Sequence, residues 1–170
     1  MFWWLYYQKT TNANAKRPLI LWLQGGPGSS STGFGNFEEL GPLDSNLKPR
    51  NTTWLTVADL LFVDNPVGTG YSYVDNLSHL TTNVQQIADD LVVWAAEFFN
   101  VKHPEYQNAP FYIFCESYGG KMTAAFAKAM WQSLQNGQVR SNFKGVALGD
   151  SWISAMDYLN TWGPYLYYTV

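Results

Sequence analysis

Three observations predict an α/β fold for this chain. The runs Leu60-Leu-Phe-Val63 and Phe111-Tyr-Ile-Phe114 are uniformly apolar and read as parallel strands buried on both faces. Segments with helical periodicity, near 82–100 and 118–135, alternate with such strands. At Glu116-Ser117-Tyr118-Gly119-Gly120 a strand passes into a small-residue helix with no loop between them.

The elements follow in order. Met1-Phe-Trp-Trp-Leu-Tyr-Tyr7 predicts a strand near 2–7; it lacks the basic start and small-residue cleavage site of a signal peptide. Asn12 to Arg17 reads as a polar hairpin-type loop. Residues 18–23 predict a second strand, which runs into Gln24-Gly-Gly-Pro-Gly-Ser-Ser-Ser31. Gly33 to Pro49, rich in Gly, Pro and Asn, reads as one long connection, a length often tied to function. A third strand is predicted near 59–64. In the helix near 82–100, Val84, Ile87, Leu91, Trp94, Ala95 and Phe98 recur at helical spacing. Thr82 and Gln85 predict a capping box at its start. Asp89 and Asp90 read as a solvated face, not a metal site. A fourth strand is predicted near 110–115. The helix near 118–135 follows, its Ala124, Ala125, Ala127 and Ala129 suited to close packing on a sheet. A fifth strand is predicted near 144–148.

Composition narrows the function. The 170 residues suffice for one domain, residues 1–170, with no internal repeat or low-complexity linker. Net charge is −3 and no basic run occurs, which argues against a nucleic-acid partner. No stretch approaches the roughly 20 apolar residues of a membrane span. Only 14% of residues are charged while 17% are aromatic, so the chain calls for a large core or a large covered surface. Asn51-Thr-Thr53 and Asn76-Leu-Ser78 are glycosylation sequons and lean towards the secretory route. The single cysteine, Cys115, ends an apolar strand; that favours an inert buried thiol over a catalytic one.

Ser117 is the candidate nucleophile. On a strand-to-helix turn its hydroxyl is lifted clear of the sheet, at the positive end of a helix. A Gly-rich helix start with an ordinary N-terminal serine fits the same five residues. The Gly25-Gly26 segment tips the balance. Acyl transfer needs N–H donors aimed at the developing oxyanion: one from the residue after the nucleophile, here Tyr118, and one from a Gly-rich loop after an earlier strand. As a phosphate loop the segment is poor, having no Lys-Ser or Lys-Thr after its glycines.

With these residues in view, the chain resembles the serine carboxypeptidases, α/β-hydrolases that remove C-terminal residues. The resemblance rests on Trp22-Leu-Gln-Gly-Gly-Pro-Gly-Ser-Ser30, Glu39-Leu-Gly-Pro42, Val63-Asp-Asn-Pro-Val-Gly-Thr-Gly-Tyr-Ser-Tyr73 and Glu116-Ser-Tyr-Gly-Gly120. The early strand at 1–7 is similar as well. Ala147-Leu-Gly-Asp-Ser-Trp-Ile153 and Trp162-Gly-Pro-Tyr165 are most similar to the retinoid-inducible branch. The matching stretches run in the family's order along nearly the whole chain.

The resemblance implies roles. Ser117 corresponds to the nucleophile, and Gly26 and Tyr118 to the oxyanion donors through their backbone N–H groups. Gln24, at a position often Asn in relatives, corresponds to the amide that binds the substrate's terminal carboxylate, helped by Glu39 and Glu116. Carboxyl groups that face a carboxylate should hold protons, so the pKa values of these acids should rise and binding should favour acidic pH. A surface charge before a turn also fits Glu39, and a structural hydrogen-bond partner also fits Glu116. The implied substrate is a peptide with a free C-terminal carboxylate, with no cofactor and no metal. The implied setting is secreted or lysosomal.

Some positions depart from the family. Cys115 stands two before the nucleophile, where Gly or another small residue is usual; it is small enough to fit there, and whether it strains the turn stays open. Ser29 stands where many relatives carry a disulfide cysteine, so stapling is reduced or absent. The fold's order is nucleophile, acid, histidine. His79 and His103 both precede Ser117, and neither suits a catalytic base. Asp150 and Asp157 are the acids after Ser117; in the family the place of Asp150 belongs to a substrate-side loop, although other hydrolases can carry an acid there. The expectation is an N-terminal part of the core sheet, with the later strands and their Asp and His beyond Val170 and the leader and first strand before Met1. Such a piece is expected to be inactive alone and to expose a sheet edge. Two other functions stay open: an acyltransferase using the same serine, and an inert or partner-binding product.

Overall fold

Uniform hydrophobicity sends β2 (Leu19–Leu23) and β3 (Asp59–Val63) to the middle of the sheet, where every residue of both is buried. The computed structural model describes residues 1–8 and 17–169. The predicted loop at 12–17 lies outside the described residues except for Arg17, which pairs with Asp59 at 3.0 Å and fixes the approach to β2. β2 runs parallel to β3 on one side and to β4 (Pro110–Glu116) on the other. β5 (Asn142–Gly149) extends the sheet in parallel beyond β4. β1 (Trp3–Tyr6) closes the opposite edge antiparallel to β3, giving the order β1-β3-β2-β4-β5.

Two helices, α1 (Val84–Glu97) and α2 (Tyr118–Gln135), cover one face. Leu21, Leu61, Phe111 and Ile113 meet Leu91, Phe98, Met122 and Phe126 there, all with no exposed surface. Fully burying such a side chain contributes roughly 1.5–3 kcal/mol, so this layer dominates the stability of the sheet. Gly119 lets α2 approach: a β-carbon there would lie 2.7 Å from the Leu23 carbonyl oxygen.

The opposite face is covered more thinly. Ile20, Trp22, Leu60 and Phe62 pack with Leu40, Trp54 and Tyr6. The predicted two-sided burial therefore holds for β3 and fails for β4, where Phe111, Ile113 and Cys115 are buried but Tyr112 and Phe114 are only partly covered. The Trp54 ring meets Phe114 edge-on at 5.3 Å.

Three further differences have physical causes. The predicted long connection begins instead with a wide π-type helical segment, Ser31–Leu40. Ser30 Oγ accepts from Gly33 N at 2.8 Å at its start, and buried Asn36 donates to Thr32 O and to Tyr6 Oη. The cap of α1 sits one residue later than predicted: Asn83 Oδ1 accepts from Gln86 N at 3.0 Å, while Gln86 Oε1 accepts from Thr82 N at 2.7 Å. The last helix, α3 (Ala155–Thr169), was not predicted; it contains Pro164 and buries none of its described residues. Of the predicted acidic face, Asp89 is exposed and Asp90 half-buried, its carboxyl pushed up by burial and by the neighbouring Asp89 charge.

Candidate active site

Ser117 stands at the junction of β4 and α2 with φ 54° and ψ −127°. A non-glycine residue at such an angle costs of order 1–3 kcal/mol and persists only where its neighbours hold it. They do so through the backbone. Ser117 N donates to Gly149 O at 3.2 Å, and Ser117 O accepts from Gly120 N at 3.0 Å and Trp152 N at 2.9 Å. The hydroxyl does not cap α2, so it stays free at the positive end of an 18-residue helix. The glycines after it are needed for packing: a β-carbon on Gly120 would overlap Ser151.

The loop after β2 lies directly against this turn. A β-carbon on Gly25 would fall 2.8 Å from Ser117 Cβ and 3.2 Å from Tyr118 N. Gly26 follows at φ 114°, an angle that glycine adopts freely. Gly25, the neighbour of Gly26, thus packs directly on Ser117 and the backbone of Tyr118.

Beside them lies a cluster of three predicted residues. Gln24 is buried, and its Nε2 donates to Glu116 Oε1 at 2.6 Å and to Glu39 Oε1 at 3.4 Å. Its Oε1 accepts from the indole N–H of Trp22 at 2.7 Å, which fixes the amide's orientation. Trp22 is a contributor that sequence reasoning left out, although it opens the quoted motif. Arg50, also not singled out, donates to the carbonyls of Phe37 and Glu39 and ties down the segment bearing Glu39. The Glu39 carboxyl is raised to about 7, chiefly by burial and next by the Glu116 charge. Glu39 Oε2 is buried with no hydrogen-bond partner among the described residues. A cavity of about 430 Å³ opens next to this cluster, lined by Trp22, Trp54, Phe114, Glu116 and Asp150.

The remaining candidates make no side-chain hydrogen bond to Gln24, Glu39 or Glu116 in the described structure. Cys115 is a free, buried thiol whose pKa is raised by burial, as an inert core residue should be. It sits in regular β4 pairing opposite Leu23 and Leu148, and the unusual backbone angle falls on Ser117 instead. His103 stacks on Phe98 at 4.8 Å with Nδ1 3.0 Å from Glu105. His79 lines a separate cavity of about 540 Å³ with Phe2, Tyr71 and Asp75. Neither imidazole hydrogen-bonds to Ser117 in the described structure. Asp150, at φ 40°, and Asp157 are both exposed. Asn51 and Asn76 are exposed too; Asn76 Oδ1 accepts from Ser78 N at 2.9 Å. Among the described residues no group of three His, Cys, Asp or Glu side chains could hold a metal ion, and no helix is long and apolar enough to cross a membrane.

Comparison with known proteins follows the same lines. The sequence profile of the serine carboxypeptidase family matches residues 1–170. The retinoid-inducible serine carboxypeptidase of Homo sapiens is 58% identical over 168 residues, covering 98% of this chain and 37% of that protein. Serine carboxypeptidase-like 51 of Arabidopsis thaliana is 47% identical, with the same coverage of each chain. The crystal structure of Kex1(delta)p, a prohormone-processing carboxypeptidase from Saccharomyces cerevisiae, superposes with a TM-score of 0.81 at 27% identity. That match covers 96% of this chain and 37% of the yeast one. The chain therefore spans little more than a third of the length of the relatives it matches.

Proposed function

The chain belongs to the serine carboxypeptidase family, and from that membership and the Ser117 geometry we propose that it carries the nucleophile and the carboxylate-recognition half of a peptidase that removes C-terminal residues. Ser117 Oγ attacks the last peptide carbonyl. The N–H groups of Gly26 and Tyr118 stabilise the oxyanion; losing one such donor typically costs roughly 10²–10³ in turnover. The C–N bond breaks, the C-terminal amino acid leaves with a proton, and water then hydrolyses the ester on Ser117. The proton-transferring base is not assigned to either histidine of residues 1–170.

One observation supports exopeptidase action over general ester hydrolysis. Gln24 adjoins Gly25, which packs on Ser117, and Glu116 adjoins Ser117 itself. A carboxylate held by Gln24, Glu39 and Glu116 would therefore sit beside the nucleophile, which favours attack at the last peptide bond. The unpartnered Glu39 Oε2 suits this role, because a protonated carboxyl there can donate to the substrate's carboxylate. A Glu39 pKa of about 7 keeps that proton in place in an acidic compartment, and the exposed sequons at Asn51 and Asn76 fit passage through the secretory route.

The test is trapping. The full polypeptide carrying residues 1–170 is treated with a fluorophosphonate and digested. The reading expects the mass increment on the peptide containing Ser117, and its loss in Ser117→Ala. Labelling elsewhere, or turnover that survives Ser117→Ala, would sink it.

A further inference from the structure

We propose that Asp64 is a positioning residue of the reaction, anchoring the oxyanion loop against the turn at Thr69–Ser72. The inference rests on the assignment of Gly26 as an oxyanion donor. Asp64 follows the last residue of β3 and has no exposed surface. Burying a carboxylate is costly unless hydrogen bonds replace water. Here four donors converge on it from two loops. Oδ1 accepts from Ser30 Oγ at 2.8 Å and Thr32 N at 3.0 Å. Oδ2 accepts from Thr32 Oγ1 at 2.8 Å and Tyr71 N at 2.9 Å.

Three of the four donors, from Ser30 and Thr32, belong to the segment that continues the loop packed on Ser117. Ser30 caps the Ser31–Leu40 helix, and Ser31 Oγ accepts from Gln24 N at 3.0 Å. Between Gln24 and Ser31 lies the turn that begins with Gly25, which packs on Ser117, and is closed by a bond from Ser29 N to Gly25 O at 3.2 Å. Asp64 therefore holds the far end of the loop whose near end faces the nucleophile. On the other side Gly70, at φ 53°, admits the carboxylate; a β-carbon there would overlap Asp64 Oδ2. The main chain of Asp64 is pinned as well, its N–H donating to Phe2 O at 3.1 Å and its carbonyl accepting from Ser72 Oγ at 2.6 Å. No cation pairs with Asp64 among the described residues, so its role is to gather hydrogen-bond donors.

The claim separates from simple structural support by what it predicts for rate. Asp64→Asn keeps shape but turns two acceptors into one acceptor and one donor, facing groups that only donate or are already committed. In the full polypeptide, kcat per fluorophosphonate-titrated Ser117 should fall roughly 10²-fold, the scale of a misplaced oxyanion donor. KM for a peptide with a free carboxylate should stay within about 3-fold, since uniform binding is untouched. Amide exchange should quicken together at residues 25–33 and 69–72 and stay slow in α2. Thr32→Val should show a smaller version of the same pattern, and its effect should shrink in the Asp64→Asn background.

Unchanged kcat per titrated serine, or a fall that only tracks the folded fraction, overturns the proposal. So does exchange that stays slow in both loops. If Asp64→Asn does not fold, Ser30→Ala and Thr32→Val carry the same measurements. If the unaltered protein releases no C-terminal residue from any peptide, the carboxypeptidase reading fails by itself. Exchange then decides alone: joint loosening of both loops upholds the anchor, and protection of both refutes it.

Discussion

Gly25 and Ser117 are in such close contact that glycine alone fits: a β-carbon on Gly25 would lie 2.8 Å from Ser117 Cβ and 3.0 Å from the Glu116 carbonyl oxygen. Gly25→Ala should push the loop off the turn and lower Ser117 turnover by roughly 10²-fold or more, as expected for a displaced oxyanion donor. Gly28 is the control. It has φ 107° but open space around it, so Gly28→Ala should cost only backbone strain, about 1–3 kcal/mol, and spare turnover per folded molecule. Steady-state kinetics and thermal unfolding of both variants check this.

Glu39 should set the pH dependence of substrate binding. Its carboxyl is protonated below about 7, so KM for peptides with a free carboxylate should be low in acid and rise as pH passes 7. Glu39→Gln keeps a neutral donor and should flatten that rise. For folding the sign is the same. The raised pKa means that the folded state holds the proton more tightly, so this contribution is full below the ordinary value of 4.5 and is lost as pH climbs through about 7. KM-against-pH profiles and urea midpoints from pH 4 to 8 test both parts; a profile identical in Glu39→Gln would count against the role.

Cys115 should behave as a core thiol. Burial raises its pKa and leaves it 2% exposed, so iodoacetamide should label it only after unfolding. Cys115→Ala should leave Ser117 reactivity in place and cost roughly 1 kcal/mol for the lost sulfur. Fast labelling of the native protein would contradict this.

Asn83 should matter more to stability than Thr82. Asn83→Ala removes the side-chain acceptor for Gln86 N and should cost about 1 kcal/mol, whereas Thr82→Ala keeps the Thr82 N bond to Gln86 and should cost less. Denaturant unfolding of the two variants ranks them.

The contrast between Thr82 and Asn83 illustrates what the sequence discloses. The five strands were legible because apolar runs such as Leu60–Val63 have few other places to go, and α2 because its bounds coincide with Tyr118 and Gln135. The meeting of Gln24, Glu39 and Glu116 was readable only through the resemblance, since no local pattern joins residues 92 positions apart. The Ser31–Leu40 helix was hidden by its two glycines and is held by distant groups, Asp64 and Tyr6. Asp64 itself looked like one more residue of a quoted motif until its four donors were seen together. α3 was hidden by Pro164 and by the lack of a buried face to give it a period.

The most direct measurement compares two peptides that differ only at the C-terminus, one with a free carboxylate and one amidated. Release of the last residue by the full polypeptide is followed by mass spectrometry at pH 5, with Gln24→Ala alongside. The account predicts cleavage of the free acid, at least about 10-fold slower cleavage of the amide, and loss of that preference in Gln24→Ala, the scale of one charge-assisted hydrogen bond. Equal cleavage of both peptides, or a preference that survives Gln24→Ala, would contradict the claim that Gln24, Glu39 and Glu116 read the substrate's terminus.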